Sequence, residues 1–441
     1  MSTRVWMVIG LIGVSSTSGC KSLDPRPVIA QSAATVLERT GILPAWLGPK
    51  PDAAFPDRLD ESTAVAMALR HDARLLQELQ RIAEARADLV QSGLLPNPVL
   101  AIDLGFPIDG SGGATKIGVG LTAQLTALLT RSDRISAADS ELRARVLECS
   151  ERALETAAHA RAAHARVVFA QSALGPVREA AEEAQHAVDQ SRQRVAAGED
   201  TSLEVNRQRL LLAKLTTELA ERQSTLETRK RELLARVGWA QHAASFEVVD
   251  GARESRAPAT EEEVIDLAQT QRLDVAAARE AARAALHRLS AERKSRLDFG
   301  AGANFERTDD GRRELGPSVT VGLPIFDWGD ARIAKADAEI GRLVLEAGRV
   351  EQDAVLEARI AFIAERTARE QLGRYEGDVG TLAATNLDLA RRAFGAGQAD
   401  LTVLLEAQQQ RAEARVKIVE LRERAALARI ELERAVGGRL K

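Results

Sequence analysis

The sequence predicts a mainly α-helical protein with a β-barrel part, built from a duplicated unit of strand hairpin and very long helix. Three observations carry this. The chain repeats itself at an offset of about 200 residues. Apolar residues keep helical spacing over runs too long for a globular core, and four segments alternate apolar with polar or small residues. Composition points the same way. Of 441 residues, 45% are apolar and 28% charged but only 3% aromatic. That balance suits Ala/Leu/Glu/Arg-rich helices rather than a dense core. The formal net charge of −4 gives no support to a nucleic-acid partner.

At the N-terminus, Arg4 precedes an apolar run from Val5 to Val14 that passes into small residues and ends Ser18-Gly19-Cys20. Residues 1–19 read as a signal peptide, too short to span a membrane. A cysteine directly after a small pair resembles the bacterial lipoprotein processing site, so Cys20 is the expected lipidation point. Thr17 departs from that motif, which usually carries an aliphatic residue there, and ordinary signal cleavage is the alternative. Lys21 resembles the outer-membrane-bound class. Residues 20–58 are Pro-rich and read as an extended, lipid-anchored tether. Cys149 sits in a helical run and reads as a free buried thiol.

The duplication follows. Arg134-Ile135 returns as Arg332-Ile333, Val119-Gly120-Leu121 as Val321-Gly322-Leu323, the turn at Gly198 as that at Gly397, and Val237-Gly238 as Val436-Gly437. The order is preserved, which sets a first repeat at 59–238, a mid-level connector at 239–259 and a second repeat at 260–438. Each repeat opens with one helical segment (Leu59 to Gly93; Thr260 to Arg296). A strand pair follows, then a long segment (Arg131 to Ala196; Asp330 to Gly395), a glycine turn and a last helix (Ser202 to Val237; Leu401 to Val436). The long segments would span about 100 Å at 1.5 Å per residue and need lateral helical partners. Gly175-Pro176 in the first, and Gly373, Gly377 and Gly380 in the second, predict a kink or a loop at matching depth.

The four strand segments have membrane-spanning length and clean alternation, as in Ile117, Val119 and Leu121 against Gly118, Gly120 and Thr122. The stretches from Pro107 to Thr115 and from Arg307 to Gly316 read as exposed loops. A soluble hairpin resting on a core is the alternative. Four strands cannot close a barrel in one chain, and open edges in lipid leave backbone groups unpaired. Three chains would supply twelve strands.

No catalytic or cofactor constellation is visible, and no enzyme is expected. The six histidines are scattered, no Cys/His set has zinc spacing, and there is neither a phosphate-binding glycine loop nor a nucleophile elbow. With three Met, two of them in the signal, a soft-metal relay is not expected either.

The ordered set of elements resembles the TolC-like outer-membrane efflux proteins. Leu94-Leu95-Pro96-Asn97-Pro98 looks like that family's approach into the first strand. Leu323-Pro324-Ile325-Phe326-Asp327-Trp328-Gly329 looks like its strand-to-helix crossover, and Gly397 with Leu404-Leu405 and Ala407-Gln408 is similar to its turn motif. The first-half crossover, Gln124 to Arg131, lacks the Pro and Gly. The resemblance implies a homotrimer, with a twelve-stranded transmembrane β-barrel (four strands per chain) on a periplasmic α-helical barrel. It also implies a passive efflux duct whose partners are outer-membrane lipid, a periplasmic adaptor and an inner-membrane pump. A type I secretion outlet, or a lipid-anchored coiled-coil scaffold without a pore, are the rival readings. The turns at Gly198 and Gly397, with Thr201 and Asp400 as N-caps of the next helices, are expected at the periplasmic tips and at adaptor docking, or else are helix punctuation alone. By distance from the tip glycines, Glu204 and Glu406 fall where the family places acidic entrance residues. A capping box at Thr201-x-x-Glu204 and a solvated helix face at Glu406 are the alternatives.

Overall fold

A computed structural model describes residues 22–46, 55–106, 115–198, 201–243, 245–250, 260–308 and 312–440. The chain forms two compact units. Of the described residues, one gathers those within 80–145 and 280–344 with 22–28, and the other those within 29–79, 146–279 and 345–440.

The first unit holds a four-stranded antiparallel sheet of β2 (Val99–Gly105), β3 (Lys116–Gln124), β5 (Asp298–Arg307) and β6 (Arg313–Gly322), in the order β2-β3-β5-β6. The middle pair, β3 with β5, joins the two repeats, so neither hairpin stands alone. The sheet does not close, and β2 and β6 are its edges. Pro317 lies in β6, an edge position where a missing N–H is tolerated. Half of the stretch expected as a loop from Arg307 to Gly316 is strand. Arg307 pairs with Arg313, and Glu306 with Glu314. Their charge reads as loop, but ladder hydrogen bonds depend on backbone rather than side chain. Leu323 and Ile325, expected in the fourth strand, lie just beyond it.

The second unit carries the helical core of both repeats. β1 (Arg58–Leu59) and β4 (Glu247–Val248) pair in parallel beside it. Leu59, Ala163, Val167, Leu233, Leu234 and Val237 of the first repeat bury one another together with Phe246 of the connector, and Phe55 and Trp239 meet edge to face beside them. In the second, Val264, Ala268, Ala358, Phe362, Leu432 and Val436 form the counterpart. The extended tether expected over residues 20–58 is partly helical instead. Residues 26–40 form a helix, α1 (Arg26–Thr40), with Ser32, Ala33, Val36 and Thr40 buried and Ser32 Oγ 2.8 Å from Ser150 Oγ. Pro27 falls in the first turn, where a helix loses nothing by lacking that N–H. Cys149 is a free, buried thiol, pushed up to about 12 by burial.

Each repeat's first helical segment, expected as one helix, is two: α2 (Glu61–His71) and α3 (Ala73–Ser92), then α6 (Glu261–Gln271) and α7 (Leu273–Lys294). One residue makes each break. Asp72 leaves the helical region at ψ 112°, and its carboxylate then caps the next helix, accepting from the N–H groups of Arg74 (2.8 Å) and Leu75 (3.2 Å). Arg272 does the same with ψ 127°. Its buried guanidinium meets Asp274 at 2.5 Å and Glu357 at 2.7 Å.

Neither long segment contains a loop. α4 (Thr126–Ala196) runs 71 residues straight through Pro176, about 107 Å of helix. The second path runs α8 (Asp330–Arg374), a π turn (Tyr375–Val379) and α9 (Gly380–Gly395), with helical backbone angles at Arg374, Val379 and Gly380. The π turn has a cause visible in the sequence. Between Arg332 and Gly397 the second repeat holds one residue more than the first holds between Arg134 and Gly198, and a π turn accommodates one inserted residue.

The buried seams confirm this. In α4, Ala153, Ala160, Val167, Leu174, Ala181 and Val188 are buried at seven-residue intervals, the period of a left-handed coiled coil. In the second path Ala354, Ala361 and Ala368 keep that period, but the seam resumes at Ala383 and Ala390, one residue late. Leu382 and Leu389, where an unshifted seam would fall, are 61% and 56% exposed. The last helices, α5 (Ser202–Arg236) and α10 (Leu401–Ala435), pack back on these paths.

Near Arg272, one carboxylate is poorly served. Glu151 has an Oε2 without solvent or hydrogen-bond partner. Burial pushes its carboxyl up to about 7; Asp274 adds to this, while Arg272 and Arg434 pull it back. A carboxyl raised in the folded state favours folding below its unfolded value near 4.5 and loses that contribution as pH rises through about 7. Glu151→Gln should therefore flatten the loss of stability between pH 5 and 8, a change on the order of 1–2 kcal/mol. Thermal unfolding at both pH values checks this, and an unchanged pH slope would refute it.

Candidate functional site

Two places combine exposure with organised chemistry: the helical tips and the sheet. At the first tip Gly198 adopts φ +74°, a left-handed angle suited to glycine, and its N–H closes α4 on the Val195 carbonyl at 3.0 Å. Glu199 and Asp200 lie outside the described residues. Thr201 caps α5, its hydroxyl accepting from the Glu204 N–H at 3.4 Å.

At the second tip Gly397 adopts φ +67°, and the N–H groups of Gly397 and Gln398 reach the carbonyls of Phe394 and Ala393 in a Schellman closure. Asp400 occupies the N-cap position of α10, but its carboxylate makes no capping bond. The expected side-chain cap at Asp400 is thus replaced by its backbone carbonyl, which accepts from Val403 N–H at 3.1 Å.

Glu204 is half enclosed. Its Oε1 accepts from Arg207 Nη1 at 3.2 Å, while Oε2 lacks both solvent and partner. Arg207 Nη1 also donates to Thr402 Oγ1 at 3.5 Å, which links α5 to the start of α10. Arg194 lies 5.9 Å from the Phe394 ring centre and joins the ends of α4 and α9. Glu406 is exposed, with no ion pair among the described residues. The structure therefore ties Glu204 to a cation and leaves Glu406 bare. The sequence reading missed Arg207, although its spacing three residues after Glu204 was the available signal. Cys20 lies outside the described residues.

The sheet has two faces of opposite character. Directly paired residues share a face, so the register settles membership. One face carries Leu100, Ile102 and Leu104 of β2, Ile117, Val119 and Leu121 of β3, Phe299 and Phe305 of β5, and Leu315, Val319 and Val321 of β6. These apolar residues have no core to cover them: Leu315 is 64% and Val319 75% exposed. The other face is small and polar, with Gly118, Gly120, Gly300, Gly302, Thr122, Asn304, Ser318 and Thr320. At the hairpin end it bears a row of three carboxylates, Asp103, Glu306 and Glu314, with Gly118 between the first two. At Gly302 an added Cβ would lie 2.2 Å from the Leu121 carbonyl oxygen.

The sheet meets the helices by two different crossovers. Leu125 alone separates β3 from α4. It is fixed by its N–H to the Phe299 carbonyl at 2.7 Å and by Thr126 Oγ1, which accepts from Phe299 N–H at 2.7 Å. After β6 the chain takes a longer route that ends at Gly329, φ +77°, whose N–H reaches Asp327 Oδ1 at 2.7 Å.

No helix among the described residues is long and apolar enough to cross a membrane, and no group of metal-binding side chains is found among them. The fold is shared with solved outer-membrane channels. The VceC outer membrane protein of Vibrio cholerae superposes with a TM-score of 0.71 at 20% identity, over 86% of this chain and 97% of that one. The CmeC outer membrane channel of Campylobacter jejuni gives 0.70 at 17% identity, over 86% and 85%. A membrane protein from Pseudomonas aeruginosa gives 0.69 at 22% identity, over 89% and 99%. At these identities the likeness is one of fold. No curated protein sequence matches the chain. Residues 264–438, almost the whole second repeat, match the family model described as "Outer membrane efflux protein". Over most of its length the chain thus has the fold of solved outer-membrane channels, and its residues 264–438 are similar to the outer membrane efflux protein family.

Proposed function

We propose that the chain is one third of a passive outer-membrane duct in a tripartite efflux system. Three copies join their four-stranded sheets into a twelve-stranded barrel in the outer membrane, and their helices form the periplasmic conduit. The single observation that carries this reading is the sheet: an uncovered apolar face, a glycine-rich polar face and two open edges. Lipid can cover the apolar face, and only neighbouring copies can satisfy the edges. A lipid-anchored scaffold without a pore needs no such sheet. A type I secretion outlet would share the whole architecture and differ in its partner.

In this reading Cys20 carries the lipid anchor. The turns at Gly198 with Thr201, and at Gly397 with Asp400, meet a periplasmic adaptor that connects to an inner-membrane pump. Glu406 and, more weakly, Glu204 line the entrance. Because Arg207 holds one Glu204 oxygen, most of the cation preference should come from Glu406. In planar bilayers under a salt gradient, the purified protein should pass discrete currents that favour cations. Glu406→Gln should move the reversal potential toward zero more than Glu204→Gln does. Silent bilayers, or equal currents of both signs in the unmodified protein, would overturn the reading.

A further inference from the structure

We propose that Arg307 and Arg313 form, on the apolar side of the sheet, a binding site for phosphate groups of outer-leaflet lipid. The proposal rests on reading the sheet as membrane-spanning. The two arginines are the last ladder pair of the β5–β6 hairpin. By register they share a face with Phe305 and Leu315, Ile117 and Leu104. Like charges directly opposite on a sheet oppose pairing, so the arrangement calls for an anion.

Among the described residues, the nearest carboxylates along the two strands are on the wrong side. Glu306 and Glu314 are each one residue away, so strand alternation sends them to the opposite face with Asp103. Among the described residues neither Arg307 nor Arg313 has an ion pair, and both are exposed. The last β5–β6 rung thus puts two guanidiniums on the apolar side, while the adjoining rung puts Asp103, Glu306 and Glu314 on the polar side, where Lys116 lies one rung beyond the arginines.

The level is also informative. Apolar side chains on the arginine face of β6 run from Leu315 through Val319 and Val321, and the chain continues with Leu323 and Ile325. Ten residues of strand measure about 33 Å, which becomes about 25 Å at the tilt of a membrane barrel, the height of one hydrocarbon band. Exposed Phe326 and Trp328 lie just past Ile325, as aromatic residues do at a membrane interface. Arg313 lies just past the other end of the band, at headgroup level. A guanidinium pair there fits a lipid phosphate, which each arginine can engage with two parallel N–H donors.

Native mass spectrometry of the detergent-solubilised protein tests this with bis-phosphorylated lipid A, its dephosphorylated form and inorganic phosphate as probes. The protein should retain lipid A and discriminate at least tenfold against the dephosphorylated form. Arg307→Ala with Arg313→Ala should lose that discrimination, Arg307→Lys with Arg313→Lys should keep part of it, and Glu306→Ala with Glu314→Ala should keep all of it. Undiminished discrimination in the double alanine variant would overturn the proposal. So would displacement of lipid A by millimolar inorganic phosphate, which would indicate a free-anion site. If the membrane reading itself were wrong, the protein would stay in solution without detergent, a separate outcome of the same preparation.

Discussion

Gly238→Ala should be among the most damaging single-methyl additions to this chain, costing about 3 kcal/mol or more, with Gly437→Ala close behind. Both glycines follow the last helix of a repeat in the left-handed region, at φ +82° and +86°, a conformation that costs an L residue about 1–2 kcal/mol. Space adds to the penalty. A Cβ on Gly238 would lie 2.3 Å from His71 Cβ, and one on Gly437 would lie 2.9 Å from the Gln271 carbonyl oxygen. His71 and Gln271 immediately precede the breaks at Asp72 and Arg272, so in both repeats the terminal Schellman turn is seated on the helix break. The methyl would push apart two elements that fix the buried core. Gly397 supplies the comparison. It has φ +67° but nothing within 4 Å, so Gly397→Ala should cost only about 1 kcal/mol. Thermal unfolding of the three variants checks the order, and equal losses at Gly238 and Gly397 would refute the packing argument.

Val319→Arg should abolish assembly in the outer membrane, whereas Thr320→Arg, one residue away, should assemble. Val319 sits on the apolar face opposite Ala301, and Thr320 on the polar face opposite Gly300. A lipid-facing arginine near the bilayer midplane costs about 2–4 kcal/mol per copy, and in the proposed three-copy barrel that cost would be multiplied. Thr320 faces a side lined with glycine, where a long polar chain finds room and water. The measurement is the amount of each variant recovered from outer-membrane fractions. Equal recovery of both would mean that the faces are misassigned; loss of both would mean that neither side is lumen.

Much of this was legible in the sequence because it depends on period. Alternation marked the sheet and its faces, and the repeat marked the order of elements. The tip glycines announced the turns that the structure closes. What was not legible depends on single residues whose meaning is set by context. Asp72 and Arg272 break helices without Gly or Pro, because a carboxylate that caps or a guanidinium that is buried rewards the break elsewhere. Pro25 and Pro27 suggested an extended tether, yet a proline in the first turn is compatible with α1. Gly175-Pro176 left a loop open at that depth, but lateral packing along a seven-residue seam holds α4 continuous through the proline. The π turn at Tyr375–Val379 was hidden in a one-residue difference between the repeats and shows itself in the displaced seam at Ala383 and Ala390. At the tips the glycines and Thr201 could be read. The Glu204–Arg207 pair has local helical spacing, but the bond from Arg207 to Thr402 could not be read, because it joins helices about 200 residues apart in sequence.

The central claim is that the open four-stranded sheet is completed by other copies of the chain. The most direct measurement is the mass of the particle extracted from outer membranes in mild detergent. Three copies per particle, resistant to dilution and dependent on detergent for solubility, is the expected result. A single chain that remains folded and dissolved without detergent once Cys20 is replaced by Ser would contradict it.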